Sequence, residues 1–150
     1  MQYPTRSIEG YRVSTDRNEI DIDAVFAFIS NSYWAEGIPR ELLVKAINNS
    51  LCFSIFDQTN AQVGFARVIT DTATFAYLAD VYIIDKHRGK GLSKMLVETI
   101  VNHAELQGLR RFMLATRDAH GLYKQYGFSS MSRPEMMMEI ANPDVYKTSD

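Results

Sequence analysis

The chain has 150 residues with a formal net charge of -2, and 46% of its residues are hydrophobic. This length suits one domain, residues 1–150, and the near-neutral charge argues against charge-driven binding to nucleic acid or a membrane. No run approaches the ~18 apolar residues of a membrane span, and the first residues lack the apolar centre of a signal peptide, so we expect a cytoplasmic protein.

The first third of the chain predicts a short strand and two helices. The strand covers residues 10–14. Asp21 is a suitable N-cap for the first helix, whose apolar side chains recur at helical spacing: Ile22, Val25, Phe26 and Ile29. Pro39 suits the first turn of the second helix.

Three strands are predicted next, over residues 51–56, 62–69 and 73–84, because these segments are rich in aromatic and β-branched side chains. Their short connections imply an antiparallel meander. The single cysteine, Cys52, excludes an internal disulfide. Its apolar neighbours favour a buried small side chain over a reactive thiol.

The second half predicts a helix over about 91–107, a strand over 111–115 and a helix over about 119–126. Strand, helix and strand form a βαβ unit, so this strand pair should be parallel. The tail, residues 128–140, suggests a last hairpin with EMMMEI as one strand and its methionines in the core. The fold class is therefore mixed α/β, with an antiparallel sheet first and parallel strands later.

A basic turn with two glycines, KHRGKGLS, joins the third strand to the long helix. The amides at a helix start carry partial positive charge and lack internal partners, so we expect an anion there. The spacing does not match the P-loop or the dinucleotide fingerprint. No group of His, Cys or carboxylate residues has the spacing of metal ligands, so no metal site is expected.

Two motifs resemble signatures of the GNAT superfamily of acetyltransferases. RGKGLS, residues 88–93, is similar to the pyrophosphate loop [QR]-x-x-G-x-[GA], with Ser93 where Gly or Ala is usual. YKQYGF, residues 123–128, is similar to Y-x-x-x-G-F, with Ala119 four positions earlier and Thr116 in place of a common Asn. The predicted order of elements fits the same family over nearly the whole chain.

The resemblance implies a mixed sheet with helices on both faces, in which the two parallel strands splay apart at a β-bulge. It implies acetyl-CoA as acyl donor, bound between the strand around residues 80–84 and the strand 111–115, near Val81 and Arg111. The implied cofactor-binding residues are Val81, Ile83, Arg88, Gly89, Lys90, Gly91, Leu92 and Ser93.

The implied reaction is acetyl transfer to an amine by direct attack in a ternary complex. Tyr123 is the implied general acid for the leaving thiolate, although it shares a helical face with apolar residues and a core position is the alternative. Asp80 is the first candidate base and Glu36 the second, each with a solvated position as the alternative; His120 is a remote third.

Tyr33 and Trp34 are candidates, with Glu36, for the acceptor site, or else pack between helices. The acceptor is a small-molecule or peptide amine that the residues do not identify. The resemblance also suggests a homodimer. The alternative function is a non-catalytic acyl-CoA binding or sensing module on the same fold. A nucleic-acid-binding domain is disfavoured, since aromatic and basic residues are not interleaved.

Overall fold

The computed structural model describes residues 3–147, which form five strands, four α-helices and four short 3-10 turns. The strands are β1 (Tyr11–Ser14), β2 (Leu51–Asp57), β3 (Gln62–Thr70), β4 (Phe75–Ile83) and β5 (Arg111–Leu114). The helices are α1 (Ile22–Ile29), α2 (Arg40–Asn48), α3 (Leu92–Asn102) and α4 (His120–Lys124). Across residues 3–147, every helix is too short or too polar to traverse a bilayer.

The strands form one sheet in the order β1-β2-β3-β4-β5. β1 to β4 are antiparallel neighbours, and β4 pairs with β5 in parallel. The parallel pair follows from the βαβ connection through α3, which carries the chain back to the same end of the sheet. The predicted fold class, an antiparallel meander followed by a parallel pair, is confirmed.

Helices cover both faces of the sheet, as predicted. α1 and α2 pack on one face against Cys52 and Phe65, and α3 and α4 pack on the other against Phe53 and Ile55. The switch of face between Cys52 and Phe53 reflects the two-residue period of a strand. Burial raises the pKa of the Cys52 thiol to about 11, in agreement with an inert core side chain.

The residues before β1 are tied to α3. The backbone N–H of Tyr3 donates to Asn102 Oδ1 at 2.9 Å, and the backbone N–H of Arg6 donates to Glu98 Oε1 at 3.0 Å. Arg6 Nη2 lies 2.9 Å from Glu98 Oε2, which also accepts from the Tyr126 hydroxyl at 2.5 Å. The buried Glu98 carboxylate thus has partners on both oxygens, and it holds an otherwise irregular segment in place.

Two helices are shorter than predicted. α3 ends at Asn102 because His103 is extended and the Gln107 side chain donates to the Val101 and His103 carbonyls, at 2.8 and 2.9 Å. These side-chain bonds replace the backbone bonds of a longer helix. α4 covers only His120–Lys124, and Gly127, with a φ of +91°, closes the turn behind it.

The predicted C-terminal hairpin is wrong for the described residues. Residues 128–147 contain no strand, and Pro134 instead begins a single 3-10 turn, Pro134–Met136. Proline has no backbone N–H and so cannot contribute fully to a strand ladder. The methionines of EMMMEI are also not in the core, since Met136, Met137 and Met138 are exposed.

Candidate active site

The parallel strands β4 and β5 separate part of the way along their length. Pairing runs from Phe75 with Arg111 to Leu78 with Leu114, and β4 then continues to Ile83 without β5. The gap therefore opens beside Ala79 to Ile83. We expected the gap near Val81 and Arg111. The structure places it beside Val81 but at the other end of β5 from Arg111, because Arg111 is the first paired residue.

A β-bulge lies at the point where the strands separate. Phe65 pairs with Tyr82 and Arg67 with Ala79, so Asp80 and Val81 together face one residue of β3. Asp80 has a φ of +56°, a left-handed conformation that Asp tolerates better than most residues. The extra residue bends β4 away from the line of β5.

The start of α3 lies directly after β4. Gly91, the N-cap, has a φ of +84°, and no side chain caps the amides of the first turn. A Cβ placed on Gly89 would meet nothing within 4 Å, so the turn is open on that side. Uncapped backbone amides at the first turn of a helix are groups that bind phosphate.

The basic side chains of this turn differ in their partners. Arg88 folds back, with Nε donating to the Ile83 carbonyl at 3.0 Å and Nη1 2.8 Å from Asp85 Oδ1. His87 shares a hydrogen bond of 2.7 Å between its Nδ1 and the Tyr11 hydroxyl. Lys90 is exposed beside the uncapped amides.

Asp80 is held on both carboxylate oxygens. Trp34 Nε1 donates to Oδ1 at 2.7 Å, and Arg67 Nε lies 2.8 Å from Oδ2. Arg67 Nη1 also donates to Ser50 Oγ at 3.1 Å. Donors on both oxygens hold this buried carboxylate in a fixed position, so Asp80 ties the bulge to the loop between α1 and α2.

That loop presents an aromatic pair. The rings of Tyr33 and Trp34 lie 5.1 Å apart at 83°, and both side chains are exposed in part. The Arg117 guanidinium sits 3.9 Å from the centre of the Tyr33 ring. This contact, worth about 0.5–1 kcal/mol at an exposed site, joins the loop to the segment after β5.

Tyr123, on α4, is buried and packs against Phe128, with ring centres 5.9 Å apart. Its pKa is raised to about 12, chiefly by burial and also by the nearby Tyr33 phenol. The hydroxyl therefore stays protonated at neutral pH. Bulge, aromatic loop and α4 thus meet at the open end of the strand gap.

Two further predicted candidates are exposed side chains. Glu36 is exposed and its charge acts on Lys147, while His120 is an exposed residue at the start of α4. Sequence reasoning also missed two residues of the cluster, Arg67 and Arg117. One feature of the sequence could have indicated Arg67, because it is a charged residue inside the otherwise apolar strand VGFARVI.

Comparison with known proteins agrees with this geometry. The family model described as acetyltransferase (GNAT) family matches residues 20–128. A Gibberella zeae protein provisionally named an acetyltransferase is 36% identical, over 75% of each chain. A Xanthomonas campestris protein assigned to the same family has a solved structure that is 48% identical, covering 95% of this chain and 100% of the other, with a TM-score of 0.91.

A more distant solved structure, a Clostridium acetobutylicum protein crystallised with acetyl-CoA, is 18% identical with a TM-score of 0.62, covering 87% of this chain and 94% of the other. At that identity the likeness is one of fold. The family match, however, includes the bulge, the glycine turn and the segment from Tyr123 to Phe128. The chain therefore belongs to the acetyltransferase (GNAT) family and is an acyltransferase.

Proposed function

We propose that the protein transfers an acetyl group from acetyl-CoA to an amine by direct attack in a ternary complex. The observation that carries this proposal is the uncapped start of α3 beside the gap between β4 and β5. A diphosphate on the α3 amides would place the rest of a long, thin donor along that gap. The C. acetobutylicum structure with acetyl-CoA supports the same donor.

The residues of the turn fit a diphosphate. The amides of Gly91, Leu92 and Ser93 would bind phosphate oxygens, and Lys90 would add charge from solvent. Gly89 has space beside it for close approach of a ligand. We assign the backbone of Val81 and Ile83, in the unpaired part of β4, to the arm of the donor. Arg88 joins the site only by leaving Asp85.

Acetyl-CoA supplies an activated thioester whose acyl group an amine can accept. Tyr123 has the right protonation state to donate a proton to the departing thiolate, because burial keeps its hydroxyl neutral. The Val81 N–H is the candidate donor for the charge that develops on the acyl oxygen. Both assignments depend on the ligand lying at the open end of the gap.

Asp80 remains the first candidate base, with Glu36 second. Its two hydrogen bonds suit an additional role, which is to hold the bulge and Trp34 in fixed positions. Tyr33 and Trp34 would form the wall for the acceptor. An aromatic wall favours an acceptor that carries an apolar or cationic group next to its amine.

The test begins with calorimetric titration of acetyl-CoA into the full chain, followed by a panel of amines with detection of free thiol. Lys90→Glu should weaken acetyl-CoA binding about tenfold, the effect of ~1.4 kcal/mol. Lys86→Glu is the matched control, since Lys86 lies in the same basic turn outside the proposed phosphate site, and should bind normally.

Absence of acetyl-CoA binding would contradict the proposed donor. Binding without thiol release from any amine would contradict the transfer step and leave acyl-CoA binding alone. Equal weakening by both charge reversals would show that binding depends on overall charge rather than on the α3 start.

A further inference from the structure

Arg117, in the segment after β5, is an exposed arginine with no ion pair or hydrogen bond to its side chain within residues 3–147. Six other arginines of that part of the chain form ion pairs, namely Arg6, Arg12, Arg40, Arg67, Arg88 and Arg133. An exposed arginine is stable without a partner, so its surroundings decide whether the charge has a use.

The surroundings of Arg117 are those of the candidate active site. β5 ends at Leu114, the last residue paired with β4, so Arg117 lies just beyond the point where the two strands separate. Its guanidinium lies 3.9 Å from the centre of the Tyr33 ring. Tyr33 in turn packs against Trp34, whose indole donates to Asp80 in the bulge at 2.7 Å. The cation therefore faces the region where an acceptor would enter.

Tyr33 also connects Arg117 to the reacting end of the gap. The pKa of the Tyr123 hydroxyl is raised first by burial and second by the Tyr33 phenol, an effect that requires the two phenols to be near each other. Tyr33 thus has Arg117 over its ring and Tyr123 close by. A molecule bound to Arg117 would lie within a short distance of the proposed proton donor.

The contact with Tyr33 holds the guanidinium without occupying an oxygen or nitrogen acceptor. A cation over an aromatic ring is attracted by the π-electrons of that ring. The N–H groups of Arg117 therefore stay available to an anion, and arginine binds carboxylate and phosphate groups through two parallel hydrogen bonds. A side chain that is already positioned loses less freedom when its ligand binds.

The charges of the site favour an acceptor that brings its own anion. Asp80 is buried, and both of its oxygens accept from Trp34 and Arg67. That carboxylate does not pair with Arg117. An unpaired cation beside the aromatic wall repels an acceptor whose only charge is an ammonium group, and it attracts one that also carries a negative charge.

We propose that Arg117 binds an anionic group of the acceptor, so that the acceptor is an amine that also carries a carboxylate or a phosphate. The anion lies on the guanidinium beside Tyr33, and the amine lies against Trp34 near the bulge. The role as acceptor rests on the proposed acetyl transfer, whereas the anion site can be tested without it. Arg117 takes no part in the bond changes, in which the amine nitrogen gains the acyl carbon and the thiol leaves.

The kinetic test compares amines that differ only in the anion. Glycine is paired with glycinamide, β-alanine with β-alaninamide, and O-phosphoethanolamine with ethanolamine, and release of thiol from acetyl-CoA is followed for each. In at least one pair the anionic amine should have the higher kcat/KM, and that pair identifies the anion as carboxylate or phosphate. Arg117→Gln should lower kcat/KM for this amine about 30-fold, as loss of hydrogen bonds between charged groups does.

Arg110→Gln is the matched control. Arg110 is also exposed, and it lies just before β5, at the end of the strand away from the gap. This variant should keep the preference for the anionic amine. Tyr33→Leu keeps the charge of Arg117 and removes the ring below it, so kcat/KM should fall only about 3-fold, the value of an exposed cation–π contact. Calorimetry should show unchanged acetyl-CoA binding in Arg117→Gln and Arg110→Gln.

A second readout needs no turnover. Trp34 is the only tryptophan of the 150 residues, and its ring lies 5.1 Å from that of Tyr33, so its fluorescence reports on ligands at this wall. Titration of the preferred anionic amine into the wild-type chain with CoA should give a saturable change. The same titration of Arg117→Gln should give none over that concentration range.

Equal kcat/KM values within all three pairs would overturn the proposal and leave acetyl transfer intact. A preference for the anion that survives Arg117→Gln, or that Arg110→Gln also removes, would overturn the role of Arg117. Absence of thiol release from every amine would contradict the transfer step instead. The fluorescence titration, run with all three anionic amines, then decides the anion site: binding lost in Arg117→Gln supports it, and binding unchanged or absent overturns it.

Discussion

Within residues 3–147, two carboxylates are buried, and each is held by an arginine and by one aromatic donor in different surroundings. Asp80 accepts from an arginine and an indole, and Glu98 accepts from an arginine and a phenol. Asp80 sits in a left-handed bulge beside the strand gap, whereas Glu98 sits in regular helix and holds the N-terminal segment. Similar chemistry therefore occurs at a left-handed position beside the strand gap and at a position within a regular helix.

The two arginines differ in solvent exposure, and this difference should set how much stability is lost when each carboxylate is neutralised. The Arg67 side chain is 16% exposed, whereas that of Arg6 is 42% exposed. An arginine left without its partner is costly when water cannot reach it. The two sites should therefore respond differently to the same neutralising substitution. The following experiments test that difference and compare the residues beside the strand gap with those around Glu98.

The largest effect is expected for Asp80→Asn, which leaves Arg67 buried with an uncompensated charge. We expect a loss of about 3 kcal/mol in the free energy of unfolding, against about 1 kcal/mol for Glu98→Gln. Asn tolerates the left-handed φ of this position, so the substitution tests the charge rather than the backbone. Urea unfolding of both variants measures the difference. Equal losses would show that arginine exposure does not set the cost.

Tyr123→Phe should reduce kcat about 100-fold with little change in thermal stability, because the variant lacks the proposed proton donor for the thiolate. Tyr126→Phe is the matched control on the same turn of chain. The Tyr126 hydroxyl donates a hydrogen bond to Glu98, so this variant should lose stability and retain kcat. Steady-state kinetics and thermal unfolding separate the two. An unchanged kcat in Tyr123→Phe would remove its catalytic role.

Trp34→Phe removes one donor from Asp80 and leaves Arg67 in place. The expected loss is about 1.5 kcal/mol in unfolding free energy, the value of a hydrogen bond to a charged group. The KM for the amine should also rise, because Trp34 would no longer be fixed beside the gap. Tyr126→Phe, which removes the corresponding donor from Glu98, should leave that KM unchanged. A rise in both variants would point to a general loosening of the fold.

The smallest effect concerns pH. Burial alone would raise the pKa of Glu98, but the hydrogen bonds from Arg6 and Tyr126 outweigh it and hold the pKa below the ordinary 4.5. The stabilisation is therefore fully present above pH 4.5 and is lost as the pH falls through the folded pKa. The difference in unfolding free energy between wild type and Glu98→Gln should shrink over this acidic range. A constant difference would contradict the lowered pKa.

Local patterns were enough to predict the sheet. Short turns between apolar segments require antiparallel neighbours, and a helix between two strands requires a parallel pair. The glycine turn could also be predicted from the sequence. A backbone with positive φ favours glycine, and the glycines lie in a short stretch around Gly91, at the uncapped start of a helix.

The contacts of Asp80 could not be predicted from a short stretch of sequence. Trp34 and Arg67 lie 46 and 13 residues away along the chain, and only the folded sheet and the loop between α1 and α2 bring them together. The prediction for the tail was wrong for another reason. The apolar residues of EMMMEI suggested a buried strand, but Pro134 begins a 3-10 turn beside them and the methionines are exposed.

The tie between the first described residues and α3 has a consequence for the order of folding. Tyr3 bonds to Asn102 across 99 positions, and Arg6 to Glu98 across 92. During synthesis, Tyr3 and Arg6 cannot find these partners until Asn102 has been made, whereas the β2-β3-β4 meander can form from near neighbours. We therefore expect the contacts of Tyr3 and Arg6 with α3 to form late in folding. Substitutions that remove them should speed unfolding more than they slow refolding.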